Sequence, residues 1–231
     1  NDKDAAEVIA AKAKELGSPA YKVVQAGAKV LGNNKDGIDF SLEDYYYGDT
    51  RFHIPFIAWY QVMNASLALT TMEVLKDRIP VTMEQLQAGI ANTRWQGRME
   101  TILPGVIVDG AHNEDGVRRF VETAERFQKE YPLTLLFSAV NDKDYQDMIH
   151  TICSRIKFRK VVTTEVGGYR EVPSAELAEI FCKEGCKDVG NSDNIEEAFH
   201  MAHEAKGEDG MLFCVGSLYL VGEIKTLLLK K

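Results

Sequence analysis

From residue 104 onward, short apolar runs without alternation take turns with stretches whose apolar positions recur every three to four residues. V-I-V-D at 106–109, L-T-L-L-F-S-A at 133–139 and M-L-F-C-V at 211–215 are nearly all apolar, which predicts strands buried on both faces. Weaker strands are predicted at 160–164 and 188–190. Between them the spacing predicts helices over 114–128, 145–156, 174–183, 195–205 and 218–229. Val117, Phe120, Val121 and Ala124 mark the inward face of the first, and Pro173 with Ser174 opens the third. Strand and helix in strict alternation imply a parallel sheet covered by helices on both sides, a doubly wound α/β domain of about five strands over 104–231.

The first hundred residues have a different rhythm. A helix is predicted over 4–16 and a strand near 21–24, followed by a region punctuated by Gly and Asp from 29 to 55. Its short runs V-L-G, I-D-F and R-F-H-I read as antiparallel strands. Helices over 58–76 and 83–93 follow, the second opened by Thr82 as a cap. This half is expected to be part of a larger α/β domain, 1–94, joined by a linker at 95–103 to the domain 104–231, which should fold by itself.

Composition supports a globular reading. The 231 residues amount to about one and a half typical domains, and 45% hydrophobic with 27% charged residues excludes disordered and collagenous classes. The net charge of −8 argues against a nucleic-acid partner bound through a broad basic surface. No stretch approaches the ~20 apolar residues that span a bilayer, and the N-terminus has neither a signal-peptide core nor an initiating Met. These features predict a cytoplasmic protein without a membrane partner, the chain beginning partway through a longer one. Cys153, Cys182, Cys186 and Cys214 form no C-x-x-C pair and have no His at zinc spacing, so reduced structural thiols and no metal site are expected.

In a parallel α/β sheet, ligands gather beyond the carboxyl ends of the strands. There the first strand ends in Asp109, followed by Gly110, Ala111, His112 and Asn113 at the start of a helix. Asp109 can accept from ribose hydroxyls and His112 offers a donor and an acceptor, although Asp109 and Asn113 can equally be helix caps. The last strand leads through Gly216 to Ser217, which suits either an anion at a helix N-terminus or a plain cap. The loop Ser138-Ala139-Val140-Asn141-Asp142-Lys143-Asp144 is site-facing or a solvated turn. Arg98 beside Gly97 has the fork that grips phosphate, while most linker arginines are merely solvated. Gln61 and Asn64 stand one turn apart on an apolar helix, where buried amides require backbone or ligand partners.

Four strings in order carry more information than any one residue: W-Q-G-R-M-E at 95–100, V-D-G-A-H-N at 108–113, F-S-A-V-N-D-K-D at 137–144 and V-G-S-L-Y-L-V-G-E at 215–223. With Y-Q-V-M-N-A-S-L-A-L at 60–69, they resemble the C-terminal part of folylpolyglutamate synthase, including the bacterial form that is also a dihydrofolate synthase, in the Mur ligase superfamily. The resemblance implies a C-terminal Rossmann-like sheet (the glutamate ligase domain) preceded by part of the central ATPase domain. It implies an ATP-dependent ligase adding L-glutamate to a reduced folate, or converting dihydropteroate, through an acyl phosphate. Asn64 then corresponds to the adenine contact, Arg98 to the phosphate clamp, Asp109 to the ribose acceptor and Ser217 to the glutamate seat. His112 stands beside the nucleotide and Gln61 near the base. The full-length protein is expected to be a monomer that uses magnesium.

Tyr60 replaces the family's usual His, and Gln96 its usual Pro. No G-x-x-x-x-G-K-[ST] loop occurs in the sequence, so the chain is expected to be inactive alone, with the magnesium ligands lying elsewhere. Three alternatives compete with this reading. A dinucleotide-binding oxidoreductase needs G-x-G-x-x-G, which D-G-A-H-N-E does not supply. A non-catalytic regulatory module needs an acidic cluster, for which Asp109, Asp142 and Asp144 are the candidates. A peptidoglycan-precursor ligase is the nearest rival within the superfamily.

Overall fold

The computed structural model describes residues 3–23, 27–34, 37–42, 46–168 and 170–229. Its centre is a six-stranded sheet. The strands are β4 (Glu100–Leu103), β5 (Val106–Asp109), β6 (Leu133–Phe137), β7 (Phe158–Thr164), β8 (Val189–Ser192) and β9 (Met211–Val215). Their spatial order is β4-β5-β9-β6-β7-β8, parallel except for β4, which lies antiparallel on β5. The last strand is therefore inserted between the first two parallel ones.

Because successive side chains on a strand point to opposite faces, the unalternating apolar runs fill two cores at once. Ile107, Leu135, Phe137, Val161, Phe213 and Val215 face α4 (Glu114–Phe127), α5 (Tyr145–Arg155) and α6 (Ser174–Lys183), whose Phe120, Ile149 and Phe181 are buried there. Val106, Val108, Leu136, Val162, Leu212 and Cys214 face α7 (Ile195–Lys206) and α8 (Leu218–Leu229), where Phe199, Leu220 and Ile224 are buried. The helices start where capping chemistry predicts: Asn113, Asp144 and Asn194 each accept a backbone N–H at the N-terminus of α4, α5 and α7.

The first half builds a separate core. Strands β1 (Lys29–Asn34), β2 (Gly37–Ser41) and β3 (Phe52–Ile54) form an antiparallel sheet. Ile38, Phe40, Phe52 and Ile54 pack with Val62, Ala65 and Leu69 of α2 (Tyr60–Val74), and Leu86 and Ile90 of α3 (Met83–Ala91) close the side. Thr82 and Gln85 form a reciprocal capping box at the start of α3. Helix α1 (Lys3–Glu15) is exposed along nearly its whole length.

Two expectations change. Residues 21–23 are not a strand, while Val24 lies outside the described residues, as do parts of the 29–55 region at 35–36 and 43–45. No partner strand among the described residues completes the hydrogen bonds of the run Y-K-V at 21–23. Conversely, residues 100–103, expected to be linker, form β4 at the sheet edge, pairing Glu100 with Val108 and Thr101 with Ile107. No helix among the described residues is long and apolar enough to cross a membrane.

Candidate functional site

The chain leaves β5 toward α4 on one face of the sheet and leaves its neighbour β9 toward α8 on the other. A crevice opens where adjacent strands send their helices to opposite sides, and this is where the sheet offers a binding site. The first half closes it. Ile57 and Ala58, which lead into α2, are buried in the core shared with Met99, Ile107 and Ala111, so the first turn of α2 hangs over the carboxyl end of β5. The result is a cavity of about 550 Å³ lined by Tyr60, Met63, Asn64, Arg98, Asp109, Ala111, His112, Asn113, Asp115, Gly116 and Arg119. That volume suits a small organic ligand.

Asp109 is 3% exposed. Its Oδ2 accepts from the Met99 N–H and its Oδ1 from the Ala111 N–H, both at 2.8 Å. Burial pushes the carboxyl up to about 6, against the opposing pull of those two N–H groups and of the Arg98 and His112 charges. Each oxygen keeps a further lone pair for a hydroxyl. His112 Nδ1 lies 2.7 Å from the Gly110 carbonyl. A carbonyl can only accept, so Nδ1 carries the proton and Nε2 is left to serve a ligand.

Arg98 is held between two residues in the left-handed region, Gly97 at φ +66° and Met99 at φ +48°. Gly97 is suited to it and Met99 is not, so the segment needs restraint. The Gly110 N–H donates to the Gly97 carbonyl at 2.7 Å, fixing the linker against the end of β5. A Cβ at Gly110 would lie 2.2 Å from Leu218 Cδ2, so any side chain there would displace Leu218. Among the described residues the Arg98 guanidinium has no hydrogen-bond or ion-pair partner, and it lines the cavity.

Asn64 is exposed on α2, and its Nδ2 donates to Gln61 Oε1 at 2.8 Å. Gln61 itself is buried and does not line the cavity. It fixes which edge of Asn64 a ligand meets. The Tyr60 hydroxyl is pushed upward mainly by burial, so Tyr60 stays neutral, and Arg119 lies over its ring at 5.6 Å. Tyr60, which heads the 60–69 motif in place of the family's usual His, and Arg119, which no motif singles out, are further wall residues. Arg119 carries a signal only in retrospect, one helical turn beyond the Asp115 that it bonds.

Ser217 is 2% exposed and its hydroxyl accepts from the Tyr219 N–H at 3.1 Å, capping α8. It lies two residues beyond Val215, the register partner of Asp109, and outside the cavity wall. Asn113 caps α4, whereas Asp109 caps nothing. The acids that a regulatory cluster would need have separate tasks. Asp142 pairs with Arg170 at 3.2 Å and Asp144 caps α5. Among the described residues, no group of three His, Cys, Asp or Glu side chains can hold a metal ion.

Residues 97–218 match the family described as Mur ligase, glutamate ligase domain. A dihydrofolate synthase/folylpolyglutamate synthase of Bacillus subtilis is 30% identical over 194 residues, covering 80% of this chain and 43% of that protein. A folylpolyglutamate synthase structure from Mycobacterium tuberculosis, complexed with ADP and AMPPCP, superposes with a TM-score of 0.79 at 23% identity, covering 98% of this chain and 53% of the other. The corresponding structure from Thermotoga maritima gives 0.75 at 24% identity, covering 99% and 52%. The chain thus spans about half the length of these relatives.

Proposed function

The chain belongs to the Mur ligase family through its glutamate ligase domain, and from that premise we propose that it supplies the nucleotide-facing half of an ATP-dependent ligase adding L-glutamate to reduced, glutamylated folates. The observation that carries this reading is convergence: Asn64, Arg98, Asp109 and His112, scattered over 49 positions of sequence, face one cavity. Asn64 would meet the adenine edge in the orientation that Gln61 sets, Asp109 a ribose hydroxyl, and Arg98 the phosphates, with His112 Nε2 beside them. Ser217, buried at the start of α8, would help seat the glutamate carboxylate through neighbouring N–H groups.

In the proposed reaction the substrate carboxylate takes the γ-phosphoryl group of ATP, and the glutamate amino group then displaces phosphate to form the amide. The part these residues can play is positioning and charge stabilisation. Conversion of dihydropteroate to dihydrofolate is the same chemistry on a shorter substrate, and the Bacillus subtilis relative is named for both activities. Magnesium would accompany the nucleotide, but the described residues offer no cluster to hold it, so no step is assigned to it. We place the protein in the cytoplasm and expect the complete enzyme to act as a monomer.

Calorimetric titration of the 231-residue chain with ADP tests the reading. Wild type should bind, and Arg98→Ala should weaken binding at least about tenfold, the usual size of a lost charge-assisted hydrogen bond. Absence of binding, or affinity indifferent to Arg98→Ala, overturns it.

A further inference from the structure

We propose that the Glu100–Lys225 ion pair is a positioning device for Arg98, acting through the backbone of Gly97 from the last helix of the chain. The proposal rests on the reading of the cavity as a nucleotide site. Arg98 has a long side chain, so its aim depends on how firmly its backbone is fixed. On one side Met99 is anchored through its N–H to Asp109. On the other side, the Gly97 carbonyl accepts from Gly110, and the Gly97 N–H donates to Glu100 Oε2 at 2.7 Å. Glu100 is not free to wander, because Lys225 Nζ bonds both of its oxygens, at 2.7 and 3.0 Å.

The partners are 125 residues apart in sequence, and their side chains are only 24% and 29% exposed, which sets this pair apart from the fully solvated ion pairs of the surface. Helix α8 meets the same glycine a second time. A Cβ at Gly97 would lie 3.1 Å from Val221 Cγ1, and Val221 is one helical turn before Lys225. So α8 both limits the space at Gly97 and orients the carboxylate that holds its N–H. Neither Glu100 nor Lys225 lines the cavity, and the hydrogen bond of Glu100 to the Gly97 N–H is their contact with the linker that carries Arg98. The left-handed turns at Gly97 and Met99 are what that contact keeps in place.

ADP titration of the 231-residue chain separates positioning from a general structural role. Lys225→Met should weaken binding about tenfold, Lys225→Arg should stay within about twofold of wild type, and Lys225→Met introduced into Arg98→Ala should cause no further loss, because the two changes remove one interaction. Full additivity with Arg98→Ala, or unchanged affinity of Lys225→Met, overturns the inference while leaving the nucleotide reading intact. Failure of wild type to bind overturns that reading and the inference with it. If Lys225→Met does not fold, Glu100→Gln keeps an acceptor for Gly97 and loses only the charge that Lys225 holds. It should weaken ADP about threefold in the wild-type background and not at all beside Arg98→Ala, and any other pattern counts against the proposal.

Discussion

Replacing Asp109 by Asn tests whether the centre of the site is a buried carboxylate under electrostatic tension. The carboxyl is pushed up from 3.8 to about 6, so the folded chain holds its proton more tightly than the unfolded chain does. Its contribution to stability is fully present below pH 3.8 and is lost as pH rises through 6. At about 1.4 kcal/mol per pH unit, the displacement amounts to about 3 kcal/mol, most of which disappears between pH 4 and pH 7. Asn cannot titrate. It can accept from the Met99 or the Ala111 N–H but presents an NH2 group to the other, a pH-independent cost of about 1–3 kcal/mol. Unfolding free energies from urea titrations, wild type minus Asp109→Asn, should therefore fall by about 2 kcal/mol from pH 4 to pH 7. Subtraction removes the contributions of all other groups that titrate alike in both proteins. A difference flat to within about 0.5 kcal/mol would refute the assignment and imply that the two backbone N–H groups, with Arg98, hold the carboxylate ionised throughout.

Two further outcomes follow from the packing around the site. Gly216 sits at φ +110°, where a Cβ would lie 2.1 Å from the Ser138 carbonyl oxygen, so Gly216→Ala should cost at least about 3 kcal/mol in urea unfolding or abolish folding. Gly222 on α8 has open space where a methyl group would stand, with nothing within 4 Å, and Gly222→Ala should stabilise by about 0.5–1 kcal/mol; similar midpoints for the two variants would contradict the geometry. Gln61→Leu should weaken ADP binding severalfold by releasing Asn64, and combined with Asn64→Ala it should add nothing, since both act on one contact; additive losses measured by calorimetry would give Gln61 a role of its own.

The order of elements in the C-terminal domain was legible because burial on both faces writes itself into a strand as an unbroken apolar run. V-I-V-D, L-T-L-L-F and M-L-F-C-V each feed two cores. The sequence singles out Arg98, Asp109 and His112 by a linker glycine and a strand end, and Asn64 by an amide on an apolar helix, and the structure lines one cavity with all four. Gln61 stands out in the sequence as an amide on an apolar face, but its partner is Asn64.

What the sequence by itself determined is whatever depends on near neighbours: the periodicity of helices, their Asn, Asp and Thr caps, and the doubly wound class. Tertiary structure alone decided which strands are adjacent, because backbone pairing has no sequence signature when its partners are far apart. Hence β9 enters between β5 and β6, residues 100–103 become an edge strand, and 21–23 find no strand to join among the described residues. The same holds for the site. Asp109 and Arg98 could be named from motifs, but the buried environment that raises the Asp109 carboxyl and the Lys225 that reaches across 125 residues to Glu100 exist only once the chain has closed on itself.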